Sequence, residues 1–269
     1  MLVRKCYGAP SRVRFAVEKN GRYPGGVKRQ EDVLVRRIYR VAPGLAAPSP
    51  VCMADAAREL AAGALALLPT ETVYGLGVSV KAFGGDDPAR AVMPQEGSGY
   101  RRIFSLKRRE LAQTVPWLVA DAAALDTYGR DVAPEARVLA ARLWPGALTI
   151  VVRASDAVPA FLRAADGTVA LRASASPVIG ALARACGPLA VTSANTHGLP
   201  APASFADVEP RVLAGVDVAI DAGETLCRDA SAIVSFVHGS LEVLREGAIG
   251  AEEIRSVLAD GVCGAAVLT

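Results

Sequence analysis

Histidine is nearly missing from this chain: His197 and His238 are the only two in 269 residues, and neither sits in a recognisable motif. That scarcity argues against a histidine-based zinc site, and no Cys or His pair has zinc-ligand spacing. Cysteine is sparse as well. Cys6, Cys52, Cys186, Cys227 and Cys263 are scattered without a C-x-x-C pair, and an odd number suits a reducing cytoplasm better than a disulfide framework. No apolar run approaches the ~20 residues that span a bilayer, so no membrane segment is expected. A G-x-x-x-x-G-K-[ST] loop is absent, which removes the P-loop reading. Gly75, Gly77, Gly97 and Gly99 are too few for a dinucleotide fingerprint. Serine hydrolysis is disfavoured too, because no G-x-S-x-G surrounds Ser193, although His197 lies four residues on.

What is present is a chain that is 52% apolar, enough to bury a sizeable core as one large domain with an appendage. The net charge of +3 hides an asymmetry: residues 1–40 hold eleven Lys or Arg against three acids, a local +8 that leaves about −5 for the rest. Residues 1–50 therefore read as a basic extension and linker, and 51–269 as the main domain. The extension has Gly and Pro breakers and acids, unlike an organelle transit peptide. Its clustered cations make an RNA phosphate contact the sharper reading and a solvated basic face the plainer one.

Along the main domain the pattern alternates. Helices are expected near 55–62, 177–186 and 251–258, and strands at 64–69, 149–153, 168–172, 189–192, 216–220, 232–237 and 241–245. Residues 84–99 are rich in Gly, Asp and Pro and read as a long loop. Strands and helices mixed without an internal repeat predict an α/β fold (α+β in some schemes), a twisted mixed parallel and antiparallel sheet flanked by helices.

Four apolar segments stop abruptly at hydroxyl, amide or cationic groups: LLPTETVYGLG (67–77), IFSLKRRE (103–110), LAVTSAN (189–195) and LEVLREGAI (241–249). Singly each is weak, since Ser193 and Asn195 are common turn and cap residues and Lys107, Arg108 and Arg109 a common solvated face. Taken in order, with WPGALTIVV (144–152) and VALR (169–172), they resemble the YrdC-like family over roughly residues 55–250. That family includes bacterial threonylcarbamoyl-adenylate synthases and a domain of hydrogenase-maturation carbamoyltransferases.

The resemblance implies an enzyme that joins L-threonine, bicarbonate or CO2 and ATP into threonylcarbamoyl-AMP, releasing pyrophosphate, for the t6A modification of tRNA. It assigns Lys107 and Arg109, the K-x-R pair, to the ATP phosphates as the catalytic cations, and Ser193, Asn195 and Arg245 to the nucleotide. Thr70, Tyr74, Arg172 and Ser231 are assigned to the amino acid. Cations suit a reaction that brings a carbamate against a triphosphate, and an arginine suits an α-carboxylate. Magnesium is expected on the ATP phosphates, with no metal ligands in the protein.

The chain departs from the family pattern at several places. K-G-R-P becomes Lys107-Arg108-Arg109-Glu110, R-x-P becomes Arg172-Ala173-Ser174, and S-T becomes Ser231-Ala232. Residues 81–100 form an insertion expected to act as a lid or to reshape the amino-acid pocket. These changes keep open two other readings: a paralogue that adenylates a different carbamoyl group, from another amino acid or carbamoyl phosphate, and an RNA-binding module.

Overall fold

The computed structural model describes residues 11–13, 36–42, 48–84, 87–111 and 113–265. In chain order these form β1 (Ser11–Val13), β2 (Arg36–Arg40), α1 (Pro50–Ala61), β3 (Ala66–Pro69), β4 (Tyr74–Ser79), α2 (Lys81–Gly84), α3 (Gly99–Lys107), β5 (Trp117–Val119), α4 (Ala124–Tyr128) and β6 (Gly129–Arg130). There follow α5 (Pro134–Leu143), β7 (Leu148–Ala154), β8 (Thr168–Ala173), α6 (Pro177–Cys186), β9 (Leu189–Ser193), α7 (Pro210–Ala214), β10 (Val218–Asp221), β11 (Ala232–Ser235), β12 (Glu242–Arg245) and α8 (Ala251–Ala265). Helices α1, α5, α6 and α7 open on a proline in the first turn, where the missing N–H has no partner to lose.

All the described strands join one mixed sheet in the order β1-β2-β10-β3-β4-β9-β5-β8-β7-β11-β12, with β6 against β7. The pairs β2/β10, β10/β3, β5/β8 and β7/β11 are parallel and the others antiparallel. Strand β2 lies within the stretch read from sequence as an extension, yet it pairs with β10 and buries Ile38 and Tyr39. Arg37 pairs with Glu59 on α1, and Arg40 lies 3.7 Å from Asp221. Most of the eleven cations behind the expected RNA contact lie outside the described residues. No helix among those residues is long and apolar enough to cross a membrane.

The period-2 alternation of the strands sorts side chains onto two faces. Ala66 and Leu68, Val218 and Ile220, Leu189 and Val191, and Leu118 face α1 and α6, meeting Met53, Leu60, Ile179 and Leu182. Leu67, Leu76, Ala190, Trp117, Leu171 and Ile150 face the other way, into a larger core with Ile103 and Phe104 of α3 and Leu139 of α5. Each fully buried side chain of this size contributes about 1.5–3 kcal/mol. The α1/α6 pair covers the β2-to-β5 half of the sheet, and its core includes no residue of β7, β8 or β11. On the other half, β8, β7 and β11, the same face carries Thr149, Val151, Ala170, Arg172 and Ile233.

Strand β4 was not expected from the sequence, because its alternation is Tyr74, Leu76 and Val78 against Gly75 and Gly77. The glycines are steric. A Cβ on Gly75 would stand 2.4 Å from Val191 Cγ1 and one on Gly77 2.8 Å from Val191 Cγ2. Helix α5 and strand β5 were also unread.

Two residues near the ends of the 81–100 insertion are anchored by ring packing. Phe83 and Tyr100 pack at 6.4 Å between ring centres, and Tyr100 meets both Phe104 and Phe161 edge-on at 5.2 Å. These rings belong to the α3 side of the sheet.

Replacing Gly75 by Ala is expected to overpack β4 against Val191 and lower unfolding stability by about 1–3 kcal/mol. Denaturant unfolding measures this, and a midpoint equal to that of the unsubstituted protein would refute the steric reading.

Candidate functional site

Register alone would keep the polar groups apart. Leu118 of β5 pairs with both Arg172 and Leu189, whereas Ser193, four residues further along β9, pairs with Gly75 at the start of β4. In a flat sheet Arg172 would lie about 13 Å along the strand direction from Ser193. Four strand steps separate β3 from β8, and a twist of roughly 20–25° per step turns β8 nearly at right angles to β3. The end of β8 meets the turn after β3, where Arg172 and Ser174 bond Glu71.

The first cluster is built on Lys107, the last residue of α3. Its side chain is only 3% exposed, and Nζ donates to Ser193 O (2.5 Å), Asn195 O (2.9 Å) and Asn195 Oδ1 (3.1 Å), with Ser193 Oγ at 3.3 Å. Every one of these acceptors is neutral. Burial, then the neighbouring Arg109, lowers the Lys107 pKa to about 8, and Glu209 opposes the shift. Arg109 donates through Nη2 to Thr114 O (2.8 Å), through Nη1 to Thr192 Oγ1 (3.4 Å) and through Nε to Gln113. Neither cation forms a salt bridge among the described residues.

The second cluster joins the 70–73 turn to β8. Thr70 Oγ1 accepts from Thr72 N and Val73 N, both at 3.1 Å, and donates to Val73 O at 2.6 Å, so it shapes the turn. Arg172 Nη2 donates to Glu71 Oε1 (2.5 Å) and Thr72 Oγ1 (3.1 Å), and its Nε to Gly146 O (3.0 Å). Ser174 Oγ donates to the other Glu71 oxygen, and Ser176 Oγ donates to Pro69 O at 2.8 Å. A cleft opens beside this cluster, lined by Thr70, Glu71, Ser176, Val178 and Thr225. Ala194 N donates to Tyr74 O at 2.8 Å, setting the turn beside Ser193 and Asn195.

In the third cluster Ser231 Oγ lies 2.9 Å from Thr149 Oγ1, and Ser231 O accepts from Arg245 Nε (3.1 Å) and Nη2 (2.7 Å). Burial, and after it the charge of Arg172, lowers the Arg245 pKa, which makes the two arginines electrostatic neighbours.

One expected role, that of Tyr74, needs correction. Tyr74 points into the α3-side core with no exposed surface; its hydroxyl donates to Gly223 O and accepts from Ala222 N, both at 3.0 Å, so it cannot reach a substrate. Arg172 is in place beside the cleft, with Nη2 engaged by Glu71 and Thr72 and Nε by Gly146 O. Glu71 and Thr149 were missed from sequence, and Ser174 was read only as a departure from R-x-P. Thr149 carried a signal, as the one polar residue of LTIVV, while Glu71 looked like an ordinary turn acid. Of the insertion, expected to act as a lid or to reshape the pocket, Phe83 and Tyr100 pack on the α3 side of the sheet.

Arg108, where the family pattern has glycine, closes α3 in the left-handed region with φ 52°. That backbone costs a non-glycine residue about 1–2 kcal/mol. Among the described residues no group of three His, Cys, Asp or Glu side chains is placed to hold a metal.

The Sua5/YciO/YrdC family model, described as telomere recombination, matches residues 90–247. This chain belongs to that family. It is 31% identical over 199 residues to the threonylcarbamoyl-AMP synthase of Pyrococcus abyssi, covering 74% of this chain and 54% of that protein. Against the threonylcarbamoyl-AMP synthase of Stenotrophomonas maltophilia it is 33% identical over 176 residues, 64% of this chain and 86% of that protein. The crystal structure of P. abyssi Sua5 complexed with L-threonine aligns with a TM-score of 0.70 at 30% identity, over 82% of this chain and 60% of that one. The chain thus spans little more than half the length of its Pyrococcus relative.

Two substitutions test the geometry. Glu71→Ala leaves the Arg172 guanidinium buried without its counter-charge and is expected to lower stability by about 3–5 kcal/mol; a loss below about 1 kcal/mol in denaturant unfolding would contradict the buried pair. Arg108→Gly is expected to raise stability by about 0.5–1 kcal/mol while Arg108→Ala does not. A thermal midpoint that fails to rise in the glycine variant counts against a strained cap.

Proposed function

We propose that this chain makes L-threonylcarbamoyl-AMP from L-threonine, bicarbonate or CO2 and ATP, with release of pyrophosphate, for the t6A modification of tRNA. The observation that carries the reading is Lys107: a buried ammonium held by neutral oxygens, next to a second cation, with no carboxylate bonded to either among the described residues. Such a pair is complementary to an anion that arrives from outside, and an ATP triphosphate is that anion. Ser193 and Asn195 orient the lysine and offer a hydroxyl and an amide beside it. Arg245, fixed at one edge through Ser231 O, adds a third cation toward the nucleotide.

In this reading the threonine amine attacks CO2 and loses a proton to give a carbamate. A carbamate oxygen then attacks the α-phosphorus as the bond to pyrophosphate breaks. Lys107 and Arg109 stabilise charge that grows on the departing pyrophosphate, in a site where little water screens them. The amino acid is assigned to the cleft along Thr70, Glu71 and Ser176, with Ser231 and Thr149 at its far edge. Arg172 serves there by holding Glu71 rather than by gripping the carboxylate itself. The donors around Lys107 are cations, hydroxyls and an amide, which do not make a resident magnesium site; magnesium is assigned to ATP, carried on its phosphate oxygens.

An amino-acid panel for ATP- and bicarbonate-dependent pyrophosphate release, with mass detection of the adenylate, tests the reading. L-threonine is expected to stimulate release, and Lys107→Ala to reduce it by about 100-fold or more. Stimulation by another amino acid or by carbamoyl phosphate, with none by threonine, would replace threonine by a different carbamoyl substrate. The pH dependence follows from the lysine: it is protonated below about 8, so the KM for ATP is expected to be flat on the acid side of that value and to rise on the alkaline side. A KM that falls with rising pH would contradict the clamp.

A further inference from the structure

Behind the Lys107 clamp lies a second polar network that the proposed reaction does not use. Its hub is Thr196, the residue after Asn195. Thr196 N donates to Glu209 Oε1 at 3.0 Å, and Thr196 Oγ1 donates to the same carboxylate at 2.8 Å. Arg211 Nη2 donates to Thr196 Oγ1 and to Leu106 O, both at 2.7 Å, and lies 3.7 Å from Glu209 Oε2. His197 N donates to Lys107 O at 2.8 Å. The 193–197 turn is therefore held against the last turn of α3 from both sides: Lys107 reaches across from the helix, and Glu209 and Arg211 reach back from the start of α7.

We propose that Glu209 is a positioning residue for Lys107, tying the Thr196 turn to the end of α3 and supplying an opposing charge to the ammonium. The charged and titratable groups around Lys107 are Arg108 and Arg109 on its own segment, Glu209 and Arg211 at α7, and His197 on the facing turn. Arg109 disfavours the protonated lysine and Glu209 favours it. The hydrogen bonds from Thr196 hold the Glu209 carboxyl below its ordinary range, so Glu209 stays charged throughout the interval in which Lys107 titrates. The inference deepens the phosphate-clamp reading and rests on it for its consequence, a lysine kept cationic for the nucleotide.

The test reads the lysine directly. The sequence has five lysines, so a carbon-13 label at the lysine ε position gives a short spectrum in which Lys107 is assigned by its loss in Lys107→Arg. Glu209→Gln keeps an oxygen to accept from Thr196 and removes only the charge; it is expected to lower the Lys107 midpoint by about half a pH unit in the nucleotide-free protein. Glu209→Asp, which restores the charge, is expected to recover most of that shift. Affinity for a non-hydrolysable ATP analogue, measured by calorimetry on the alkaline side of the midpoint, should fall about threefold in Glu209→Gln, since a half-unit shift changes the protonated fraction by about that factor. An unmoved midpoint in Glu209→Gln overturns the proposal, whatever the enzyme's activity. A moved midpoint in a protein that binds no ATP analogue supports the positioning and removes the functional reading instead, so the two failures are separable.

Discussion

A buried ion pair closes this fold on itself. Arg172 stands on β8 and Glu71 in the turn after β3, four strands apart in a sheet whose register places them at different levels. They nonetheless meet at 2.5 Å, and only a fully bonded setting makes their burial tolerable, because the desolvation of two charges rivals their attraction. The surroundings meet that demand: Gly146 O and Thr72 Oγ1 take further guanidinium donors, and Ser174 bonds the second carboxylate oxygen. The pair thereby ties the 70–73 turn to the end of β8, beside the cleft that Glu71 and Ser176 line.

The lysine cluster follows the opposite logic. Arg172 is neutralised within the protein and is structural in consequence, while Lys107 is buried against dipoles alone. Carbonyl oxygens hold an ammonium in place without cancelling its charge, and the lowered pKa records what that arrangement costs in the absence of an anion. Two cations of the same family motif set thus divide their work by their partners. One shapes the pocket; the other is left electrostatically incomplete, as a site for a polyanion requires.

Much of this was legible beforehand, and what was not has identifiable causes. The helix at 177–186 and the strands at 168–173 and 189–193 were read nearly to the residue because their apolar patterns are long and capped by Pro and Gly. Strand β4 hid because two of its six residues are glycines placed for close approach to Val191, which erases the alternation a reader looks for. In the site, Lys107, Ser193 and Asn195 were read as one group, and they share direct hydrogen bonds. Tyr74 was misread because a motif gives adjacency along the chain and not the face of the strand: with Gly75 turned to Val191, residue 74 has to enter the opposite core. Glu71 and Glu209 were invisible for another reason. Each acts through a partner 13 or more residues away, and no spacing rule links an acid in a turn to an arginine four strands distant.

The departures from the family pattern can now be placed by what they touch. Arg108 and Glu110 flank the clamp with exposed side chains, and Arg108 alters the backbone cost of the α3 cap without altering what Lys107 bonds. Ala232 has no exposed surface and faces the α3-side core, where a threonine hydroxyl would need a partner and a methyl does not. Ser174 is different in kind. A proline there has no side-chain donor, so the bond from Ser174 to Glu71 exists in this chain because the proline is gone. It fills the lone pair of Glu71 that Arg172 leaves open, and a carboxylate bonded at both oxygens has less capacity to meet a substrate ammonium. On the proposed reading, the changes leave the nucleotide half of the site intact and tighten the amino-acid half around Glu71, where selectivity among amino acids would be decided.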